Sequence, residues 1–254
     1  MTLGVKFSNA GLSRILDNQR IVPQLIATYN FANYLHFDIP EAEGTHPGWI
    51  RRTYQFNFPS AVFTRPVIIF ATLPNQNYEV YSDGHDIWYQ AGQPFTDPIW
   101  YVFALDYVTP SSSTHGMRIW RYPGDGAMMY DSGNYHLNLQ ALIPCSVDMT
   151  TDSNTAVDYP IGGVSSFSGA LANGAYLIPQ GEIFRSYGRR FQGYGDWRAG
   201  IVCRVRSGIL DIRMLGYERN FTEDETYNPA SFTNTVKGSD TGLVILAIDA
   251  NMYN

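Results

Sequence analysis

Short apolar runs that end in turn-forming residues recur along the whole sequence. The close spacing of these turn-forming residues restricts the chain to short strands. Three of the runs are apolar on both faces, at residues 67–73, 99–105 and 243–248. Strands without a polar face are buried in the middle of a sheet or between two sheets. Helical spacing with caps is hard to find anywhere in the chain. The sequence therefore predicts an all-β, sandwich-like fold with long loops inserted between the strands.

One hairpin can be predicted down to its register. Residues 201–214 form two apolar runs joined by the two-residue turn Ser207-Gly208. Counting outward from this turn places apolar residues opposite each other on one face and an arginine opposite an aspartate on the other. The predicted pairs are Val205 with Leu210, Cys203 with Ile212, and Arg204 with Asp211. Apolar matching and charge matching agree on this register, so we expect Cys203 to be a small core residue.

Long polar stretches separate the predicted strands. They cover residues 38–48, 109–116, 148–158 and 222–240. Loops longer than about 12 residues are typically functional or interface-forming. The stretch 222–240 is therefore the best candidate for an interaction loop. Residues 12–22 could form a short helix, but Gly11 before them and Pro23 after them suit a strand better, and the segment is predicted as β.

A repeated element suggests two tandem units. Segments 4–18 and 116–132 both run from a glycine through apolar and basic residues to a turn and an apolar-Asp close. The closing residues Asp17 and Asp131 are expected to accept hydrogen bonds from backbone N–H groups beyond them. A duplication would give one β unit at 1–111 and a second at 112–254 that carries the insertions. The alternative is one large sandwich with two peripheral hairpins.

The same two hairpin segments carry a resemblance to a known family. The opening Gly4-Val-Lys-Phe-Ser-Asn-Ala-Gly11, the close Ile15-Leu-Asp-Asn18 and the later close Tyr130-Asp-Ser-Gly133 resemble tail-tip and tail-fibre-associated proteins of tailed bacteriophages. The resemblance covers the first ~20 residues and the segment 116–134. The sequence departs from the family in a longer second turn, at residues 121–126, and in the long inserts after residue 145.

The resemblance implies a β-rich structural protein of the virion, located in the phage tail and synthesised in the bacterial host cytoplasm. The unit at 1–111 is then expected to anchor to tail components, and the unit at 112–254 to contact a neighbouring subunit or the host. Its expected partners are other tail proteins and further copies of itself, with a trimer as the favoured oligomer, and a glycan or protein of the host surface as a possible target. The family offers no enzymatic residues, so none are transferred to this chain.

Composition excludes several other classes of protein. The 254 residues carry a net charge of -6, and 15% of them are aromatic, which is incompatible with disorder. Only two of the 17 basic residues are lysines, Lys6 and Lys237. Net acidity argues against binding to nucleic acid, and no apolar run reaches the ~18 residues of a membrane span. Arginine and aromatic residues with little lysine are typical of buried subunit interfaces.

The search for chemistry yields no catalytic residue, cofactor or metal site. Residues of metal-ligating type cluster at His36, Asp38, Glu41, Glu43 and His46, but their spacing matches no recognised ligand set. The segment 83–86 reads as a turn, and the serines of 162–169 do not fit a nucleophile elbow and read as a flexible turn. A pair of carboxylates for glycoside hydrolysis stays open as an alternative, because that chemistry depends on a separation in space.

One stretch has the composition of a recognition surface. Residues 184–198 interleave tyrosine, tryptophan, arginine and glycine, which binding surfaces use for rigid contact area and directed hydrogen bonds. The predicted contact residues are Tyr187, Arg189, Arg190, Tyr194 and Trp197. They would meet a neighbouring subunit or stack on a sugar ring. The alternative is that these aromatic residues belong to strands and pack inside the protein.

Overall fold

A computed structural model gives the fold as almost entirely β. It describes residues 4–9, 12–17, 21–30, 35–40, 49–55, 65–73, 80–106, 108–121, 125–145, 165–168, 170–178, 184–190, 193–222, 235–236 and 243–254. For 4–9, 12–17, 145, 165–168, 184–190, 193–200, 213–222, 235–236 and 243 the description is limited to the backbone.

The described residues form nineteen strands and one short helix. The strands are β1 Gly4–Asn9, β2 Leu12–Asp17, β3 Gln24–Tyr29, β4 Leu35–Pro40, β5 Trp49–Gln55, β6 Val67–Thr72, β7 Val80–Ser82, β8 Ile87–Gln90, β9 Trp100–Ala104, β10 Arg118–Trp120, β11 Met128–Asp131, β12 Leu139–Cys145, β13 Ser165–Ser168, β14 Gly174–Leu177, β15 Phe184–Arg190, β16 Gly193–Arg206, β17 Ile209–Thr222, β18 Thr235–Val236 and β19 Leu243–Asp249. A 3-10 helix at Ala250–Tyr253 follows the last strand.

Two large antiparallel sheets and two small ones account for these strands. The six-stranded sheet has the order β12-β19-β14-β6-β9-β3. The nine-stranded sheet has the order β13-β17-β16-β7-β8-β5-β4, with β15 paired to β16 and β18 paired to β15. β1 with β2, and β10 with β11, form separate two-stranded sheets.

The main core lies between the two large sheets. One cluster joins Ile143, Tyr176 and Ile245 of the six-stranded sheet to Ile201 and Cys203 of the nine-stranded sheet. A second cluster joins both sheets further along and contains Tyr54, Ala71, Val80, Ile87, Tyr89 and Trp100. Side chains from both sheets meet in each cluster, as in a β-sandwich. The predicted all-β, sandwich-like fold is therefore confirmed.

The three doubly apolar runs form inner strands of the six-stranded sheet, as predicted. They correspond to β6, β9 and β19, each of which has a strand neighbour on both sides. Every residue of Trp100–Ala104 in β9 is fully buried. Because apolar side chains cover both faces of β9, it contributes to the core between the sheets and to a second core beyond the six-stranded sheet.

The hairpin of β16 and β17 has the predicted turn and register. Val205 pairs with Leu210, Cys203 with Ile212, and Arg204 with Asp211. Ser207 and Gly208 both have positive φ, 50° and 76°. A type I′ turn, the two-residue turn whose twist matches that of the strands, requires positive φ at both positions. The Arg204 Nε atom lies 2.9 Å from the Asp211 carboxylate. Cys203 is a buried free thiol, as expected, whereas the side chain of Cys145 lies outside the described residues.

Both predicted repeat segments fold as hairpins, but the large sheets do not divide at residue 111. β1 pairs with β2 and β10 with β11. The six-stranded sheet combines β3, β6 and β9 from 1–111 with β12, β14 and β19 from 112–254, and the nine-stranded sheet is mixed in the same way. Described strands of 1–111 and of 112–254 are thus combined in both large sheets. The division of the chain into two tandem units, and the duplication itself, stay predictions.

A buried aspartate fastens the 109–114 segment to the second hairpin. Asp131 accepts hydrogen bonds from the backbone N–H of Ser111 at 2.9 Å and from the Ser111 hydroxyl at 3.1 Å. Further bonds come from the backbone N–H of Gly133 at 2.9 Å and from Arg118 Nε at 2.9 Å. The bond from Gly133 confirms the predicted role of Asp131 in turning the chain. The corresponding side chain, that of Asp17, lies outside the described residues.

Three predicted loops contain short pieces of strand. Asp38–Pro40 belongs to β4, residues 165–168 form β13 against β17, and residues 235–236 form β18 against β15. Each of these segments has a polar sequence that predicts a loop, yet its backbone pairs with another strand. A pattern within one segment does not reveal such a pairing. Stretch 109–116 contains no strand, as predicted, and 148–158 lies outside the described residues.

Candidate interaction surface

The predicted recognition stretch forms a pair of antiparallel strands. β15 pairs with the first half of β16 through seven residue pairs, which include Tyr187 with Asp196, Arg189 with Tyr194, Arg190 with Gly193, and Ser186 with Trp197. By this pairing, Tyr187, Arg189 and Tyr194 occupy strand positions that belong to one face of the hairpin. Arg190 and Trp197 occupy positions that belong to the opposite face. Since neighbouring positions of a strand belong to opposite faces, the five predicted contact residues do not all share one face of this hairpin.

The sheet also brings together two segments that the sequence marks separately. β18, within the predicted interaction loop 222–240, pairs with β15 through Phe184 with Val236 and Arg185 with Thr235. β15, β16 and β18 are therefore contiguous in the nine-stranded sheet. The side chains of β15, of β18 and of residues 193–200 in β16 lie outside the described residues.

An exposed apolar row lies on β4, the last strand of the nine-stranded sheet. Leu35 is 60% exposed, Phe37 53% and Ile39 41%. Their partners on β5 are Gln55, Thr53 and Arg51. We call these three residues of β4 the edge row. No further strand pairs with β4 among the described residues, so the edge row borders an open sheet edge.

The polar residues of β4 lie on the other face, the face that carries the buried Tyr54, although the side chain of Asp38 is itself 38% exposed. His36 pairs with the buried Tyr54, and their rings are 6.4 Å apart. Asp38 pairs with Arg52, which binds it with both Nε at 2.7 Å and Nη2 at 2.8 Å. A strand at the rim of a soluble protein normally turns its apolar residues inward. β4 has the reverse arrangement, which is typical of a strand whose outer face meets a partner.

Arg52 holds β4 against the body of the sheet. Its Nη1 atom donates to Asp97 at 3.3 Å, and Asp97 also accepts from the Tyr54 hydroxyl at 2.6 Å. The guanidinium lies 4.9 Å from the ring centroid of Phe95, a cation–π distance. The hydrogen bonds from Arg52 hold the pKa of the Asp38 carboxyl below its usual value. These bidentate and stacking contacts fix the strand that presents the edge row.

The outward face is covered near the sheet centre and uncovered at β4. One row of paired residues crosses the sheet through Tyr81, Trp88, Arg51 and Ile39. Tyr81 is 2% exposed and Trp88 3%, against 41% for Ile39. Trp49, Tyr81, Trp88 and Val202 form an apolar cluster on this face. Polar residues of β5, Arg51, Thr53 and Gln55, separate the edge row from this cluster.

The segment 83–86 forms the predicted turn between β7 and β8. Asp83 Oδ1 accepts from the backbone N–H groups of His85 at 2.8 Å and Asp86 at 2.7 Å. The ring nitrogen Nδ1 of His85 lies 2.6 Å from the Asp86 carboxylate. Burial, assisted by the charge of Asp86, raises the pKa of Asp83 to about 6. Burial alone would lower the pKa of His85, but Asp86 raises it above its usual value.

We expect Asp83→Asn to raise the free energy of unfolding by up to about 3 kcal/mol at pH 8, because each pKa unit corresponds to about 1.4 kcal/mol. The folded-state pKa of about 6 exceeds the ordinary value of 3.8, so ionisation of Asp83 costs stability above pH 6 and costs nothing below pH 4. The amide oxygen can still accept both backbone bonds. Urea unfolding at pH 8 and pH 4 measures the difference, and the same gain at both pH values would contradict this explanation. Asp125→Asn, at an exposed turn where Asp125 accepts from Ala127 N–H, is the control.

Metal-ligating side chains are not grouped in the described part of the chain. His36 and Asp38 do lie on one face of a strand, as predicted, but Asp38 is occupied by Arg52. Glu41, Glu43 and His46 lie outside the described residues. No group of three or more histidine, cysteine, aspartate or glutamate side chains suited to a metal ion occurs within the described ranges.

Sequence reasoning missed the edge row, although its signal was present. The run Leu35-His-Phe-Asp-Ile39 alternates apolar and polar residues with the period of a strand. Alternation reveals two faces but does not tell which one is inward. The pairing of His36 with the buried Tyr54, 18 residues further along the chain, is what assigns the polar face to the side of the sandwich interior.

Comparison with known proteins gives no relative: no family model, curated protein or solved structure matches the chain. Across the described residues, none of the helical structure is long and apolar enough to cross a membrane. The function is therefore argued from the surface and from the sequence resemblance.

Proposed function

We propose that this chain is a structural protein of a bacteriophage tail, associated with the tail tip or a fibre. It acts through protein–protein assembly, as a homo-oligomer and with other tail proteins, and takes part in host attachment. Its place is the virion, after synthesis in the cytoplasm of the bacterial host. It is proposed to have no catalytic role of its own.

The observation that carries this proposal is the edge row of β4. Three large apolar side chains of β4 lie on its outward face, while Arg52 binds Asp38 on the opposite face of the same strand. Exposed apolar rows on a rigid strand are costly in water unless a partner covers them. An assembly protein meets that requirement because its edge is covered in the complete particle.

The two hairpin sheets support the tail assignment. The segments that resemble tail-tip and tail-fibre-associated proteins contain β1–β2 and β10–β11, each a two-stranded antiparallel sheet. The second hairpin is fixed at its apolar-Asp close by the four hydrogen bonds to Asp131. Asp131 is part of the apolar-Asp close that resembles the family, and its hydrogen bonds hold the end of the hairpin in place. The resemblance in sequence therefore coincides with a residue that stabilises the hairpin.

The test is the protein content of purified phage particles from a host that carries the coding sequence. We expect mass spectrometry to find the chain in the particles in a fixed ratio to the major tail protein. We expect labelled antibodies to place it at the distal end of the tail in electron micrographs. Particles that lack the chain, with all of it left in the cell lysate, would contradict the proposal.

A second candidate function is binding of a host-surface carbohydrate. It is favoured by two exposed aromatic side chains, Trp120 at the end of β10 and Tyr135, and by the residue types of 184–198. Aromatic faces that reach solvent can stack on sugar rings. A glycan screen with the whole chain tests it, with Trp120→Ala and Tyr194→Ala as variants. Binding that either variant weakens at least ~10-fold supports carbohydrate recognition, and no binding to any host glycan removes it.

A further inference from the structure

We propose that β4 pairs antiparallel with β4 of a second copy of this chain, about a two-fold axis at Phe37. The nine-stranded sheets of the two copies then join edge to edge. This inference rests on the proposed function only in that both require assembly, since two copies can pair in this way whether or not the particle is a phage tail.

The sequence of β4 is complementary to itself in this register. With Phe37 opposite its own copy, Leu35 lies opposite Ile39 and His36 opposite Asp38, and each of these pairs occurs twice. Directly opposite residues of antiparallel strands share one face of the sheet. The outward face therefore gains a cluster of six apolar side chains, and the inward face gains two histidine–carboxylate pairs. Charge and apolar matching agree on one register, as they do in the hairpin of β16 and β17.

The position of β4 in the sheet suits such an extension. One side of β4 is paired with β5 throughout, from Leu35 with Gln55 to Pro40 with Ile50. The other side has no strand neighbour among the described residues. An exposed edge with an apolar row is a template for pairing with another chain. A two-fold operation uses the same edge on both copies and closes after two, which prevents growth into a fibre.

The contacts that fix β4 also favour a second copy. On β5, Arg51 separates Ile39 from the buried Trp88 and Tyr81, so a partner would cover the edge row itself. Arg52 and its ligands keep β4 in place before pairing, so little conformational entropy is lost when the copies meet.

The experiment is sedimentation velocity of the whole chain from about 1 to about 200 µM, at moderate salt. We expect a dimer with a dissociation constant on the order of micromolar, which lies within this concentration range. Phe37→Lys places two like charges on the axis and is expected to raise that constant at least ~10-fold. Leu142→Lys is the matched control, because Leu142 is 63% exposed on β12, an edge strand of the other sheet, and its replacement should leave the dimer intact.

A charge exchange tests the register. His36→Asp sets an aspartate opposite Asp38 of the other copy, and Asp38→His sets a histidine opposite His36. Each variant alone should dimerise more weakly than the wild type, and an equimolar mixture should recover the dimer, because every pair in the mixed dimer is again histidine with aspartate. Circular dichroism checks that both variants are folded. If Asp38→His does not fold without its bond to Arg52, Phe37→Lys and His36→Asp alone decide the matter.

A wild-type chain that stays monomeric at about 200 µM overturns the inference. An oligomer that persists unchanged in the Phe37→Lys variant also overturns it, whether that oligomer is a dimer or the trimer that the sequence resemblance favours. These results are separate from the test on phage particles. A monomeric chain found in virions keeps the proposed function and removes the β4 contact, whereas a dimer broken by Phe37→Lys in a chain absent from virions does the opposite.

Discussion

Replacing Trp100 by alanine is expected to lower the free energy of unfolding by about 4 kcal/mol, the largest loss from any single change considered. Trp100 is fully buried on the inner strand β9 and packs edge-on against the ring of Tyr54, with ring centroids 5.0 Å apart. Its Nε1 donates to the carbonyl oxygen of Gly84 at 3.0 Å. The alanine variant loses this contact area and leaves the Gly84 carbonyl without its bond. Urea unfolding followed by circular dichroism measures the loss.

Two further variants make this prediction specific. Trp100→Phe keeps most of the apolar area but removes the N–H donor, so we expect a smaller loss of roughly 1–2 kcal/mol. Trp120→Ala removes an exposed tryptophan of β10 and should change stability by less than about 0.5 kcal/mol. Equal losses for Trp100→Ala and Trp120→Ala would show that Trp100 does not hold the two sheets together.

Replacing Asp131 by alanine is expected to lower the free energy of unfolding by about 3 kcal/mol at pH 7. The change removes the acceptor shared by Ser111, Gly133 and Arg118. It leaves those donors, two of them backbone N–H groups, without the carboxylate in a partly buried place. Asp106→Ala is the control, because Asp106 has only an exposed ion pair with Arg65 at 3.7 Å, and such pairs contribute little.

The effect of Asp131 should depend on pH in a defined direction. Burial alone would raise its pKa, but the hydrogen bonds from Ser111, Gly133 and Arg118 outweigh burial and lower the pKa to about 2. The stabilisation is therefore present above the ordinary value of 3.8 and is lost as the pH falls toward 2. We expect the stability difference between wild type and Asp131→Ala to shrink over this range. A constant difference down to pH 2 would contradict the assigned network.

Local pattern was enough to predict those elements that depend on near neighbours. The hairpin of β16 and β17 follows from a two-residue turn, and its side-chain matching leaves a single register. The inner strands β6, β9 and β19 follow from runs without a polar face, which have no stable place at a surface. Asp131 was predicted to turn the chain because an aspartate after a strand accepts from N–H groups two residues on.

Pairings between distant segments were beyond the reach of the sequence. Nothing local tells that β14 lies between β6 and β19, or that β7 lies between β8 and β16. Those choices set how the two halves mix, and they are decided by the packing of whole sheets. The short strands β13 and β18 depend on long partners elsewhere, so their polar sequences read as loops.

The candidate site was predictable in part. The sequence marked His36 and Asp38 as members of one strand face but assigned the surrounding residues to a polar loop. Only the pairing of β4 with β5, which sets His36 beside the buried Tyr54, shows that the polar face is inward and that Leu35, Phe37 and Ile39 are outward. The stretch 184–198 was marked by composition, and the structure adds its strand pairing with β18.

The position of β19 sets the order in which this protein can fold during synthesis. Among the described strands, β19 follows β12 and β14 along the chain, yet it lies between them inside the six-stranded sheet. Until residues 243–249 have left the ribosome, both of these neighbours present unpaired edges, and the sheet cannot close. Contacts between distant parts of a chain also slow folding. The nascent chain therefore exposes these edges from the synthesis of β12 and β14 until β19 inserts, and we expect it to depend on chaperones during that time.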